Sequence, residues 1–282
     1  MVEILTSFFV FCFGLFVGSF LNCVIYRLEK SESFLKGRSY CPHCKHILSW
    51  QDLIPIFSFI FLRGKCRYCQ KPISWQYPLV ELATGILFVF TLIYFFPKTS
   101  ILLNSAMTEL TSIYYLVMCC FLIIIFIYDL KHYIIPDQVI YPAIVIAFLY
   151  NIYQFTIDPE QILPELYGAG NQQLTINNFL SAIGAAAFFL LIVLISHEKW
   201  MGIGDVKLAF LMGLFLSWPN ILVALFLAFL IGAIIGVGLI IFGKETLKSE
   251  IPFGPFLVTG TFLALFWGEK MVDIYFNLFL LK

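Results

Sequence analysis

Residues 110–130 read LTSIYYLVMCCFLIIIFIYDL, twenty-one positions carrying one charged side chain, Asp129. An uninterrupted apolar run of that length is what a helix needs to cross a hydrocarbon layer about 30 Å thick. Similar runs recur at about 4–26, 78–96, 136–155, 178–196, 206–217, 220–242 and 253–268, which makes eight spans with a short sixth. Across 282 residues, 61% are hydrophobic and 12% charged, and the mean hydropathy of +0.94 lies far above soluble-domain usage. The expected fold class is therefore all-α, a polytopic membrane protein with about eight transmembrane helices. The first run has Glu3 and no basic residue before it, and no small-residue cleavage site after it, so it reads as a retained span. The tail after Gly268 is aromatic and apolar again and reads as an interfacial helix. No long repeat or low-complexity tract is evident.

One polar block, residues 28–77, is rich in Lys, Arg, Cys and Pro and is the candidate extramembrane domain. The expected division is a first transmembrane helix at 1–27, this block at 28–77, and a transmembrane core at 78–282. If the block is cytoplasmic, 14 of the 17 basic residues fall on that side, leaving Lys98, Lys270 and Lys282 outside. That asymmetry puts the N-terminus outside and the block inside. The outer segment 156–177 holds Asp158, Glu160 and Glu165 with no Lys or Arg and reads as a passive connection. Seventeen Lys and Arg balance 17 Asp and Glu, so the net-basic footprint of a nucleic-acid binder is missing.

Within the block, Cys41-Pro42-His43-Cys44 and Cys66-Arg67-Tyr68-Cys69 form two C-x-x-C pairs 21 residues apart. Four thiolates so spaced can close a tetrahedral zinc site, each pair forming one knuckle, and a reducing compartment disfavours the competing disulfides. About 50 residues have little core of their own, so a structural Zn²⁺ would supply much of the block's folding. Its apolar stretch from Leu53 to Leu62 reads alternatively as lying against the membrane. His43 and His46 read as solvent-facing, and Cys12, Cys23, Cys119 and Cys120 as packing residues in apolar spans.

Ionisable groups at span ends or within the membrane are functional hypotheses by default. Four acids fall in one cytoplasm-facing layer: Glu81, Asp129, Asp137 and Asp205. Two share a pattern, Asp129-Leu130-Lys131 and Asp205-Val206-Lys207, at the boundaries of different spans. Two close carboxyls can share one proton, leaving one ionised to activate water and one protonated to polarise a carbonyl. Taken alone, each Asp reads more readily as an interfacial anchor paired with a nearby Lys. The context of Asp205 favours chemistry: Gly202-Ile203-Gly204 precedes it, two glycines whose backbone can adopt positive φ and leave room for an extended substrate strand. Pro252-Phe253-Gly254-Pro255 is another irregular segment at that level. Glu81 and Asp137 read as structural, Asp137 following Pro136 where a carboxylate can accept free helix amides.

Gly202 to Lys207 and Asp129-Leu130-Lys131-His132-Tyr133-Ile134-Ile135-Pro136-Asp137 resemble the two active-site motifs of the type IV prepilin peptidases. Gly18-Ser19-Phe20-Leu21-Asn22, with Tyr26-Arg27, is similar to that family's N-terminal motif, and the resemblance covers essentially the whole chain. These are membrane aspartic peptidases of the GxGD type, a group that also includes presenilin-like enzymes. The resemblance implies cleavage of prepilins and pilin-like precursors at the inner-membrane cytoplasmic face, after a glycine that ends a short basic leader. It implies Asp129 and Asp205 as the catalytic pair, with water as nucleophile. Gly202 and Gly204 would shape the substrate loop, and Lys131 and Lys207 would meet an acidic residue beyond the cleavage site if they are not plain positive flanks. Members with a tetracysteine block also methylate the new N-terminus with S-adenosylmethionine, for which no cofactor contacts are assigned.

Asp129 ends one helix and Asp205 begins another, so the helix dipoles lead us to expect the shared proton on Asp129 and the general base at Asp205. The rival class is a transporter using the Asp pair as a proton or cation site, which would place the acids near the bilayer midplane. A third reading is a noncatalytic assembly protein docking a partner through its zinc block. Oligomeric state and the particular pilin-like substrates are not legible in the sequence.

Overall fold

A computed structural model describes residues 2–33, 37–95, 105–156, 171–242 and 251–279. Lys36, Lys98, Lys244, Lys248 and Lys282, and the outer-segment acids Asp158, Glu160 and Glu165, lie outside the described residues. Among those described there is no β-strand, only two isolated bridges, and nine α-helices account for the architecture. They are α1 (Val2–Glu29), α2 (Phe57–Phe61), α3 (Gln76–Phe95), α4 (Ser105–His132), α5 (Asp137–Thr156), α6 (Asn171–Ser196), α7 (Ile203–Leu216), α8 (Asn220–Ile241) and α9 (Gly254–Phe279).

Six helices are long and apolar enough to cross a membrane: Ile4–Glu29, Gln76–Phe95, Leu110–His132, Asp137–Thr156, Ile176–Ser196 and Asn220–Ile241. The two other expected spans are α7 and the first half of α9. With 14 residues, α7 is only about 21 Å long. The tail after Gly268 is not a separate interfacial helix, because α9 runs through it unbroken to Phe279 with Glu269, Lys270 and Asp273 on its second half. No proline separates the two stretches, and the one glycine between them, Gly268, makes room for Asn220 while the helix continues.

The chain groups into two compact units, Met1–Ile124 and Ile125–Lys282, and α4 runs from the first into the second. In the first, α1 lies against α3. Glycines set this approach: a β-carbon on Gly14 would stand 2.7 Å from the Gly85 Cα, and one on Gly18 would stand 2.7 Å from the Glu81 Cα. Without a hydrophobic force between helices in lipid, such close backbone contact is a main source of attraction. Asn22 adds a hydrogen bond, its Nδ2 donating to the Tyr77 carbonyl at 3.1 Å.

In the second unit α7 is the centre, touching α5, α6, α8 and α9. From Leu208 to Leu216 only Phe210 escapes full burial, which is how a helix too short to span by itself is held in place. Gly213 lets α7 press on Ala182 of α6. At the end of α7 away from Asp205, Asn151 donates to the Leu214 carbonyl at 3.1 Å and accepts from Asn178 Nδ2, so α5, α6 and α7 share one buried polar clasp.

Candidate active site and metal centre

Asp129 stands in the last turn of α4 and is 5% exposed. The helix stops because Tyr133 turns left-handed (φ 59°) and its N–H donates to the Asp129 carbonyl at 2.8 Å. The Asp129 carboxyl lies against the backbone of Gly254, the first residue of α9, on the side of its N–H. A β-carbon on Gly254 would lie 2.5 Å from Asp129 Oδ2, so only glycine leaves room there for the carboxyl. The helix-end expectation for Asp129 is thereby incomplete. It meets the C-terminal end of α4 and also the N-terminal end of α9, whose free amides favour an anion. The sequence flagged Pro252–Pro255 as irregular but gave no sign that Gly254 faces Asp129.

Asp205 is the third residue of α7 and half-buried. Gly202 caps the helix, accepting the Asp205 N–H at 3.1 Å and donating its own N–H to Asp205 Oδ2 at 3.3 Å. The expected positive φ is absent: Gly202 is extended (φ −87°, ψ 161°), and the left-handed glycines of the described residues are Gly37 and Gly64. Gly204 serves close approach instead, since its β-carbon would stand 3.2 Å from the Ile135 Cβ. Asp129 and Asp205 belong to the same compact unit and lie near enough for the charge of Asp129 to act on Asp205.

The flanking groups differ in role. Lys207 Nζ donates to Asp137 Oδ1 at 2.6 Å and sits 4.7 Å above the Tyr141 ring, so it ties α7 to the start of α5. Asp137 thus finds its partner in Lys207. Lys131 is exposed in the last turn of α4. Glu81, in the first unit and 7% exposed, accepts the Ile56 N–H at 2.8 Å and has its Cα against Gly18 of α1, which makes it a tie between α1, α3 and the polar block.

The sulfurs of Cys41, Cys44, Cys66 and Cys69 all lie within 4.8 Å of one another. Cys41 and Cys69, from different pairs, are 3.9 Å apart, too far for a disulfide and close to the edge of about 3.8 Å that a ZnS₄ tetrahedron with about 2.3 Å bonds requires. The two pairs are built alike. Cys41 N–H donates to His46 and Cys66 N–H to Lys71, both at 2.9 Å; Lys45 donates back to Cys41 and Gln70 to Cys66, also at 2.9 Å. Lys45 and Gln70 are both left-handed, with φ of 60° and 59°. Shorter than any long repeat, this symmetry is carried by the sequence at a spacing of 25: Cys41/Cys66, Cys44/Cys69, Ser49/Ser74, Trp50/Trp75 and Gln51/Gln76. The matched window of eleven residues is short, and its dissimilar fillers hide it.

Cys41 and Cys69, from different pairs, hold their protons unequally. Burial pushes Cys41 up, but the backbone amides of Cys44 and His43 and the neighbouring thiols outweigh it and bring Cys41 down to about 7. At Cys69 the Lys71 amide pulls down, while desolvation and the other three thiols push the group up to about 11. A divalent cation would remove that conflict by holding all four as thiolates. Asp52, which sequence reasoning passed over, braces the two knuckles: Ser49 donates N–H and O–H to Oδ2, Arg67 Nε donates to Oδ1 at 2.8 Å, and Tyr68 O–H donates at 3.2 Å.

Comparison with known proteins agrees with this arrangement. Residues 12–95 match the bacterial peptidase A24 N-terminal domain, and residues 116–237 match the type IV leader peptidase family. A prepilin leader peptidase/N-methyltransferase of Aeromonas hydrophila is 31% identical over 96% of this chain and 94% of its own length. The proteins of that name from Bacillus subtilis and Pseudomonas aeruginosa are 31% and 29% identical, each over 95% of this chain and over 97% and 93% of their own lengths. No solved structure matches significantly. The first match takes in all four metal-site cysteines and the second both aspartates, over a chain aligned nearly end to end, and the chain therefore belongs to the type IV leader peptidase family.

Proposed function

We propose that the chain cleaves the leader from type IV prepilins and pilin-like precursors, after a glycine at the cytoplasmic face of the bacterial inner membrane, and methylates the new N-terminus. The observation that supports this best is the buried Asp129 in the same compact unit as Asp205, each carboxyl set against a glycine at a helix N-terminus, with the charge of Asp129 felt at Asp205. One carboxyl, protonated, donates to the scissile carbonyl oxygen, and the other, ionised, takes a proton from the attacking water. The tetrahedral intermediate then collapses as a carboxyl returns a proton to the leaving amine, with no covalent enzyme adduct. Because both carboxyls face helix amides, we assign the resting proton to the pair rather than to Asp129 alone.

The open backbone at Gly202, with Gly204 packed beside it, would shape the loop that admits the substrate strand, and exposed Lys131 would meet an acidic residue beyond the cleavage site. Lys207, held by Asp137, would instead fix the first turn of α7. The division into a first span, the block at 28–77 and the catalytic core at 78–282 remains our functional partition, with the block on the cytoplasmic side. Zinc would be held by Cys41, Cys44, Cys66 and Cys69, as a structural ion that fixes the two knuckles. Methylation needs S-adenosylmethionine. The described residues contain no strand-turn-helix glycine loop to hold it, so no residue is assigned to it and no step is derived. The transporter alternative finds no support in a match to a peptidase family.

Mixing the purified chain with a prepilin in detergent tests the proposal. Asp129→Asn and Asp205→Asn should each lose on the order of 10²–10⁴-fold in cleavage. Cleavage retained by both variants refutes the mechanism, and the mass of the product reports the methyl group.

A further inference from the structure

Residues 56–59 of the polar block are tied to the start of α3. Trp75 immediately precedes α3, a span, which is where interfacial tryptophans stand. The Phe59 ring of α2 rests on Trp75, with centroids 4.9 Å apart. The amide of Ile56, just before α2, donates to Glu81. Glu81 lies five residues into α3, its Cα about 7 Å past the start of the span, and its side chain leans back toward the helix start. The turn leading into α2 is therefore tied to the first turns of a span, beside Trp75.

What this turn presents is apolar: Trp50 is 73% exposed, Phe57 58%, Ile60 62% and Phe61 81%. Around it the block is basic. Residues 37–75 carry Arg38, Lys45, Arg63, Lys65, Arg67 and Lys71 against a single acid, Asp52, which is itself paired with Arg67. Four thiolates around one Zn²⁺ would offset two of those positive charges and leave the excess positive.

We propose that Trp50, Phe57, Ile60 and Phe61 form a wedge that inserts into the interfacial layer of the bilayer the protein spans, with Arg63, Lys65 and Lys71 on anionic lipid headgroups. Position, exposed aromatic surface and charge agree on that one occupant: interfacial elements bury an apolar face at the headgroup boundary and gain from basic flanks. The wedge would clamp the metal block against the membrane, and it does not depend on the peptidase reading.

The test uses the full chain in nanodiscs. Subtracting the emission of Trp50→Phe from that of the unaltered chain isolates Trp50 from the four other tryptophans. Trp50 should be quenched by lipid brominated near the headgroup more than by lipid brominated at the chain end, and shielded from aqueous acrylamide. Replacing phosphatidylglycerol with phosphatidylcholine should weaken the shielding. Lys65→Gln should shift the docked-to-free ratio by about fivefold. Trp50 open to acrylamide and untouched by bromolipid overturns the wedge, as does shielding that arises only when prepilin is added. Quenching indifferent to anionic lipid overturns the headgroup assignment.

Discussion

The backbone N–H of Gly254 is directed at the Asp129 carboxylate, and no β-carbon fits between them. This contact links residues 125 positions apart, and it places α9, which lies beyond the residues 116–237 matched to the peptidase family, against the proposed catalytic carboxyl.

Gly254→Ala should displace Asp129 by a fraction of an ångström or more while leaving the helices intact. Misplacement on that scale costs about 10²-fold when geometry is limiting. Single-turnover cleavage of a prepilin should fall accordingly, with the melting temperature little changed. Cleavage at the unaltered rate would mean that the contact does not position the carboxyl.

Lys207 and Asp137 form a pair whose carboxylate is 61% exposed, so solvent screens it and the bond itself stabilises by less than about 1 kcal/mol. Lys207→Met should therefore leave the fold intact and the KM for prepilin within about threefold. Lys131→Met should raise KM with kcat held, as expected for loss of uniform substrate binding. The reverse pattern would assign substrate recognition to Lys207.

Removal of the metal has a distinct signature. Elemental analysis should give one zinc per chain, and stripping it with a chelator should make residues 37–75 protease-sensitive, because a domain this small has little else to hold it. Cys44→Ser should reproduce the effect. Zinc-free protein with an equally resistant block would overturn the metal assignment.

Asp52 offers a pH test. Burial raises its carboxyl, but the Ser49 hydrogen bonds, the Arg67 charge and Tyr68 outweigh this and hold it below the usual carboxylate range. A depressed folded-state value gives stability that is complete above the unfolded value, near about 3.9, and is lost only as pH falls through the folded one. Asp52→Asn should thus destabilise the block by roughly 2 kcal/mol. Its difference from the unaltered chain should stay flat from about pH 5 to pH 8, well above that unfolded value. A slope in that window would point to another titrating group.

Much of this was legible because hydropathy and charge are local properties. Several helix ends fell within a few residues of the expected spans where apolar runs meet polar residues, as at Asp129–His132 and Gly202–Asp205, whereas α9 ran eleven residues past its expected end. The four cysteines were legible because their spacing is itself the signature. What escaped depends on contacts between distant residues: the Gly254 amide on Asp129, the Lys207–Asp137 pair in place of a helix cap, and Asp52 between the knuckles. Gly202 and Gly204 were singled out partly for a positive φ that neither adopts. Gly202 gives an amide to Asp205 and Gly204 packs on Ile135, and sequence alone does not separate these from left-handed turns.

The Gly14–Gly85 contact yields a prediction with its own control. Along α1, Gly14 and Gly18 repeat at the four-residue interval that stacks small residues on one helix face, and both press on the α3 backbone. A side chain at residue 14 would meet backbone atoms, which cannot rotate away, so Gly14→Leu must separate the helices and should cost about 1–3 kcal/mol. Gly184 in α6 is the counterpart, with nothing within 4 Å of an added β-carbon. There Gly184→Ala should be neutral or stabilise by up to about 1 kcal/mol through helix propensity. Thermal unfolding in a single detergent would compare the two, and equal melting temperatures would mean that α1 does not depend on its glycines to pack against α3.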